Sequence, residues 1–159
     1  MSVAFTKESD LEATAADLPD RPISPHPNLV TPDGLAAIEA ALTSARADYA
    51  EAQGGADISG DRTAMARATR ELRYWSARRA SAQLVEPVPD ADTVTFGATV
   101  TLEREDGTRQ VWRIVGEDEA EPASGSVSYL SPLARAVTGK AVGDSVMVAG
   151  QAVEIVALG

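Results

Sequence analysis

Two stripes of apolar residues, separated by one short glycine-rich break, place the strongest constraint on the fold of this chain. Before the break, apolar side chains recur at alternating steps of three and four residues, at Leu35, Ile38, Leu42, Ala45, Tyr49 and Ala52. After the break, the same spacing returns at Met65, Ala68, Leu72 and Trp75. This spacing lines one side of a helix with apolar side chains. The sequence therefore predicts an antiparallel helical hairpin over residues 31–86, with the break QGGADISGDR (53–62) at its tip.

Local signals mark the ends of this hairpin. Thr31 is suited to cap the first helix, and Pro32 follows at the first helical position, where a missing N–H costs little. Asp61 stands where a cap for the second helix is wanted, and we expect that helix to run to about Val85. The preceding residues 1–30 are acidic and contain four of the nine prolines, which favour extended geometry. They are predicted to form a flexible or extended arm.

The residues after the hairpin, 87–159, have the pattern of a small domain of strands with one short helix. Val94–Glu103 and Arg109–Val115 are predicted to be strands around the turn signal EDGT. Two further strands, Ser145–Ala149 and Ala152–Leu158, are predicted around a turn at Gly150. Ser131–Pro132 has the form of a helix start and is followed by LARAV. The predicted fold class is therefore α+β, with an N-terminal helical hairpin and a C-terminal α+β domain.

Composition excludes several kinds of site. The chain has no cysteine and a single histidine, His26, so disulfides, thiolate-bound zinc and Ser-His-Asp catalysis are not expected. A formal net charge of −10 argues against duplex DNA as the main partner, because phosphate binding needs a basic surface. No run approaches the ~18 apolar residues of a membrane helix, and the N-terminus lacks the pattern of a signal peptide. We expect a soluble, cytoplasmic monomer.

The C-terminal residues also carry a series of motifs in a familiar order. The motifs are FGATV (96–100), DG (106–107), RIVGEDE (113–119), SPLARA (131–136) and VGD (142–144). In order and approximate spacing they resemble the C-terminal domain of the Gre factors, the GreA/GreB transcript-cleavage factors of bacteria. RELRYWS (70–76) is similar to the GreB-type segment that leads into that domain. The resemblance covers residues 29–159 and leaves the N-terminal arm outside it.

The resemblance implies a specific fold and function. Gre factors join an antiparallel coiled coil to a globular domain of FKBP-like fold, which binds bacterial RNA polymerase at the rim of its secondary channel. Acidic residues at the tip of the coiled coil help to hold the second magnesium ion of the polymerase, which then cleaves the backtracked transcript. Two metal ions stabilise the attacking and leaving oxygens in such a reaction. The resemblance thus implies no enzyme activity and no cofactor bound in isolation, only magnesium shared with the polymerase.

The same resemblance supplies the candidate site residues. They are Asp57 and Asp61 for the shared magnesium, Ser131, Pro132 and Arg135 for the polymerase, and Arg62, Arg70 and Arg73 for the 3′ end of the nascent RNA. On a helical wheel these three arginines, with Arg67 and Arg78, fall on the half of the second helix that faces away from the apolar stripe. The alternative for this basic face is solvation and weak pairing with acidic residues of the first helix.

The sequence departs from the family pattern at the tip and in the arms. The family tip reads Gly-Asp-x-x-Glu-Asn-Ala. Aligning Asp57 with its aspartate puts Gly60 at the glutamate position, whereas aligning Asp61 puts Ala64 there; we prefer the first. Each arm is also shorter by about seven residues, which corresponds to ~10 Å of helix. Leu130 stands where the family commonly has Asp or Asn.

These departures leave other functions open. The expected function is that of a Gre-type elongation factor, and the short arms and missing glutamate also permit a regulator that occupies the secondary channel without stimulating cleavage. A relative of the regulator of nucleoside diphosphate kinase, which has a truncated coiled coil, is a further possibility. A prolyl isomerase is disfavoured because the C-terminal domain offers only three aromatic residues for a pocket. An independent nuclease is disfavoured because two aspartates on a tip form no preorganised metal site.

Overall fold

The computed structural model describes residues 18–54 and 58–159, and gives the backbone alone for residues 58–61. Their contacts divide the chain into two units. The helical unit contains residues 18–26 and Ile38–Ser81, and the sheet unit contains Pro27–Ala37 and Ala82–Gly159. Both α-helices and β-strands are present, which confirms the α+β class. Among the described residues, no helix is long and apolar enough to cross a membrane.

The first helix begins where the sequence predicts. Helix α1 spans Pro32–Gly54. The Thr31 hydroxyl accepts a hydrogen bond from the Gly34 backbone N–H at 3.0 Å, which satisfies one of the donors left open at a helix start. The second helix, α2, spans Ile58–Ser81. Asp61 is therefore the fourth residue of α2, and its prediction as the cap of this helix is wrong.

Within the helical unit, the apolar stripes lie between the two helices. Ile38, Leu42, Ala45 and Ala68 are buried, whereas Met65, Leu72 and Trp75 are half-buried. The Nε of Arg79, near the end of α2, lies 3.1 Å from the Oε1 of Glu39, near the start of α1. Further along, residues 48–52 of α1 share a groove with residues 64–71 of α2. The two helices therefore run antiparallel.

Helix α2 ends earlier than the predicted Val85. After Ser81 the chain becomes strand β2 (Gln83–Leu84), which pairs in parallel with strand β1 (Leu29–Val30). Gln83 N–H donates to the Asn28 carbonyl at 2.8 Å, and Val85 N–H donates to the Val30 carbonyl at 2.9 Å. These donors are satisfied by residues distant in sequence, so helical periodicity could not locate the end of the helix.

The same pairing changes the account of the arm. Residues 27–30 belong to the sheet unit, and residues 19–21 make hydrogen bonds to α2 within the helical unit. The described part of the arm, residues 18–30, thus contributes residues to both units. The flexible or extended arm expected for residues 1–30 stays a prediction. Residues 1–17 lie outside the described part of the chain.

A five-stranded sheet forms the framework of the sheet unit. Its strands are β3 (Thr99–Arg104), β4 (Arg109–Val115), β5 (Ser126–Ser128), β6 (Ser145–Val148) and β7 (Gln151–Leu158). They lie in the order β5-β4-β3-β7-β6, with β4 and β5 parallel and the other neighbours antiparallel. Helix α3 (Pro132–Val137) contributes Ala134 and Val137 to the core formed with the inward residues of the sheet, such as Ile114 and Ile155. A single 3-10 turn, Pro122–Ser124, precedes β5.

Strand β3 is shorter than the predicted Val94–Glu103. Gly97 has φ +85°, a left-handed conformation that interrupts an extended chain. Val94 is nevertheless buried, and its backbone is bonded to Gly139 and Lys140 instead of to a neighbouring strand. The predicted turn at Gly150 is present: Ala149 (φ +50°) and Gly150 (φ +79°) form the two-residue connection between β6 and β7.

Candidate functional site

The predicted polymerase-binding residues lie at the start of α3. The Ser131 hydroxyl accepts a hydrogen bond from the Ala134 backbone N–H at 3.2 Å, and Pro132 occupies the first helical position. The predicted capping role of Ser131 is therefore confirmed. Its N–H is held in turn by the Ser128 carbonyl at 2.9 Å. These bonds connect the start of α3 to the end of β5.

Packing of α3 determines where Arg135 points. Ala134 and Val137 are both fully buried in the core. Because neighbouring positions on a helix face different directions, Arg135 is turned outward and is exposed. Among the described residues, its guanidinium has no ion-pair partner. This part of the sheet unit thus presents a solvent-facing cation on a helix whose backbone is anchored by the core.

The hairpin tip is only partly described. Asp57 lies outside the described residues. Asp61 is described as a backbone position in α2. Among the described residues, no group of three or more His, Cys, Asp or Glu side chains is arranged to hold a metal ion. The magnesium role of Asp57 and Asp61 stays a prediction.

The three arginines proposed for RNA lie together. Arg62, Arg70 and Arg73 line one groove of about 440 Å³ along α2, which we call the arginine groove. Leu18 and Asp20 of the N-terminal segment form another part of its lining. Arg62 and Arg73 are exposed and Arg70 is half-buried. The structure therefore brings together on one surface the cations that the helical wheel placed on one half of the helix.

The sequence analysis missed the segment that lies against this groove. The Nε of Arg70 donates to the Pro19 carbonyl at 2.9 Å, and Arg73 Nη1 lies 3.2 Å from Asp20 Oδ1. Arg21 pairs with Glu71 at 2.9 Å. The only available signal was the opposite charges of Asp20 and Arg21, which identify no partner some fifty positions away.

Arg78 is the one arginine of the predicted outward half that is buried, with 2% of its surface exposed. It follows Trp75 by three residues and so lies about 60° from it around the helix. This position is at the margin of the apolar stripe, and the helical wheel alone assigned it to the wrong side.

The RIVGEDE motif holds a polar network within the sheet unit. Glu119 accepts a hydrogen bond from the Thr31 hydroxyl. Arg113 reaches Asp33 at 3.3 Å and Glu119 at 3.5 Å. The motif therefore supports the first turn of α1, which also belongs to this unit.

Asp106 of the DG motif lies in an exposed turn. Hydrogen bonds from the Thr108 side chain and backbone hold the pKa of its carboxyl below the ordinary value. This arrangement is that of an Asx turn, and it accounts for the aspartate without a functional role.

Comparison with known proteins finds a family match for most of the sheet unit. Residues 89–158 match the family described as transcription elongation factor, GreA/GreB, C-terminal domain. Over 96 residues the chain is 41% identical to transcription elongation factor GreA of Desulfovibrio desulfuricans, covering 59% of this chain and 58% of that protein. Over 58 residues it is 59% identical to GreA of Rhodopseudomonas palustris, covering 36% of this chain and 37% of that protein. The chain thus spans about half the length, or less, of these curated relatives.

A solved structure with a similar chain course is that of the GreA factor homolog 1 (Gfh1) protein of Thermus thermophilus. It is 21% identical in sequence, with a TM-score of 0.41, and the match covers 84% of this chain and 99% of that one. A score of this size supports no inference about function.

Proposed function

We propose that this chain, whose C-terminal domain belongs to the GreA/GreB family, is a Gre-type transcription elongation factor that binds bacterial RNA polymerase at its secondary channel. The family match of residues 89–158 is the observation that carries the proposal. In this proposal the sheet unit is an FKBP-like domain that holds the channel rim, and the antiparallel helices are a coiled coil that enters the channel. A protein that acts on bacterial RNA polymerase is located in the cytoplasm. In this proposal it is not itself an enzyme, since the polymerase cleaves the RNA.

The exposed start of α3 supports the proposed mode of binding. Ser131 and Pro132 set the direction of the helix, and Arg135 is presented to solvent by the burial of its neighbours. Because its guanidinium has no ion-pair partner among the described residues, Arg135 can meet a carboxylate of another protein without breaking an existing ion pair. We therefore assign the charged contact with the polymerase to Arg135.

Charge reversal at Arg135 tests this assignment. Arg135→Glu is expected to weaken binding to core RNA polymerase about tenfold or more, because a favourable charge contact becomes a repulsive one. Arg104→Glu makes the same change of charge at another exposed position of the sheet unit and is the matched control. Affinities are measured by biolayer interferometry, and melting temperatures verify folding. Equal affinity of the Arg135 variant and wild type would remove Arg135 from the interface.

We further propose that the tip promotes cleavage of backtracked transcripts. Magnesium prefers oxygen ligands and usually keeps several waters, so two carboxylates delivered to a polymerase-bound ion are chemically suited to this task. In this proposal Asp57 and Asp61 supply those carboxylates. The polymerase contributes the remaining ligands, and the isolated protein therefore binds magnesium weakly.

The cleavage proposal predicts the behaviour of an isosteric variant. Added wild-type protein is expected to increase cleavage in backtracked elongation complexes. Asp57→Asn should abolish most of that increase, because it removes a charge at nearly constant shape. Asp48→Asn removes the same charge from the exposed surface of α1 and should behave like wild type. Cleavage is followed by the shortening of 3′-labelled RNA on gels.

A second function is favoured by one observation: neither alignment of the tip provides both carboxylates at the family spacing. A regulator that occupies the channel without stimulating cleavage is consistent with this. Wild-type protein that binds polymerase but leaves cleavage unchanged would support it. Gly60→Glu, which restores the family carboxylate, should then raise activity if the number of ligands is limiting. If instead the hairpin is too short for its tip to reach the magnesium ion of the polymerase, that variant should have no effect.

A further inference from the structure

The four residues Leu18–Arg21, which we call the cover segment, lie against the surface of α2 that carries the arginine groove. Each of the last three residues makes its own contact with α2. Pro19 offers its carbonyl to Arg70, Asp20 its carboxylate to Arg73, and Arg21 its guanidinium to Glu71. These are polar contacts between complementary groups, and all of them lie within the helical unit.

Arg21 also covers an aromatic face. The centre of its guanidinium lies 3.7 Å from the centroid of the Tyr74 ring and 5.5 Å from that of Trp75. The two rings meet edge to face, with centroids 4.9 Å apart. A planar group stacked on an aromatic ring is the arrangement by which proteins hold the bases of single-stranded nucleic acids.

The cover segment therefore combines two kinds of contact that one nucleotide would also make. Asp20 places an anionic group on an arginine, as a phosphate would. Arg21 places a flat group on Tyr74, as a base would. These residues are adjacent in the chain, and their targets Arg73 and Tyr74 are adjacent in α2. The segment thus imitates the chemistry of a nucleotide at this surface.

We propose that the cover segment is an intramolecular competitor of single-stranded RNA for the arginine groove and the Tyr74 ring. The inference rests on the proposed function, which brings the helical unit close to a transcript, and it adds a regulation of that contact. In the covered state the segment excludes RNA from Arg70, Arg73 and Tyr74. In the open state RNA phosphates pair with the arginines and a base stacks on the ring.

The exposure of the contacts is consistent with a removable cover. The side chains of Arg73 and Asp20 are 66% and 58% exposed, and those of Arg21 and Glu71 are 30% and 41% exposed. Ion pairs this accessible are weak and are screened by salt. Glu71 has a second partner, the indole N–H of Trp75 at 3.2 Å, and so keeps one hydrogen bond when Arg21 leaves.

Competition of this kind lowers the apparent affinity for RNA by the fraction of molecules that are open. The test is a charge-neutral release of the cover. Asp20→Asn together with Arg21→Ala removes one negative and one positive charge, so the net charge of the chain does not change. Binding of a short fluorescein-labelled single-stranded RNA to the full chain is measured by fluorescence anisotropy. We expect the Kd to fall about five- to tenfold, as the loss of two exposed ion pairs and of the cation–π contact with Tyr74 implies.

The matched control is Glu39→Gln together with Arg79→Ala. It removes a different exposed ion pair of the helical unit, together with one negative and one positive charge, and should leave the Kd unchanged. Arg21→Ala alone distinguishes release of the cover segment from a simple change in charge. It removes a positive charge, so simple electrostatics predicts weaker RNA binding, whereas release of the cover predicts tighter binding. Circular dichroism establishes that each variant retains its helices.

An unchanged or raised Kd in the double variant overturns the inference. Because the assay contains no polymerase, its result is separate from that of the proposed function. Binding of the same double variant to core polymerase completes the separation. If the double variant binds polymerase normally but gains no affinity for RNA, the competition by the cover segment is rejected and the proposed function is retained. A gain in RNA affinity without polymerase binding rejects the proposed function and leaves the cover in place.

Discussion

Replacing Gly116 by alanine is expected to destabilise the sheet unit by about 2–4 kcal/mol, the range of a severe steric conflict in a packed interior. A Cβ at this position would lie 2.3 Å from the Leu29 carbonyl oxygen. That oxygen belongs to the backbone and cannot rotate away as a side chain does. Strand β1 would have to move, and its pairing with β2 would be strained or lost.

The two tryptophans allow this effect to be measured in one unit. Trp112 packs against the core of the sheet unit and Trp75 lies in the helical unit. In a Trp75→Phe background, thermal unfolding followed by fluorescence therefore reports on the sheet unit. Gly54→Ala is the control, since its Cβ would meet nothing within 4 Å and its φ is ordinary. If the Gly116→Ala variant has the same melting temperature as the Trp75→Phe protein, β1 does not approach residue 116 so closely.

Truncating Ile155 to alanine is expected to destabilise the same unit by about 2–5 kcal/mol, because the lost transfer free energy and the remaining cavity add. Ile155 is fully buried on β7, and both its backbone N–H and its carbonyl are bonded, to Asp144 and to Gly143 respectively. The surrounding strands therefore have little freedom to close the cavity. The free energy of unfolding is obtained from urea titrations with the same fluorescence signal.

Met147 provides the comparison within the neighbouring strand. It is 62% exposed on β6, so Met147→Ala should change the free energy of unfolding by no more than about 0.5 kcal/mol. A similar loss in the free energy of unfolding for Ile155→Ala and Met147→Ala would mean that the side of the sheet assigned to the core is wrong. The Ile155 variant is also measured in a Trp112→Phe background, where Trp75 is the remaining tryptophan; an equal effect there would mean that the two units unfold together.

Local chemistry was sufficient to predict the starts of two helices and one turn. Thr31 and Ser131 each cap a helix through a hydroxyl that accepts a backbone N–H three residues later. Gly150 forms the tight connection between β6 and β7. These features depend on neighbouring residues, so they are visible in any reading of the sequence. Among the candidate site residues, Arg135 is the one for which the local pattern was most informative, because SPLARA indicated the start of the short helix that carries it.

Other features depended on residues far apart in the chain. The early end of α2 at Ser81 follows from hydrogen bonds between residues 83–85 and residues 28–30. Arg78 lies at the margin of the apolar stripe, where a helical wheel does not decide between core and surface, and the folded structure buries it. No periodicity within α2 indicates either outcome.

The sequence by itself determined the α+β class, the two apolar stripes and the motifs that resemble the GreA/GreB C-terminal domain, because helix periodicity, capping and turns are local properties. Only the tertiary structure decided that Arg62, Arg70 and Arg73 share one groove with Asp20, and that Arg21 lies over Tyr74. The physical reason is that an exposed ion pair or a stacked cation contributes little free energy and leaves no periodic pattern in the chain. Such contacts form where the packing of larger elements brings their partners together.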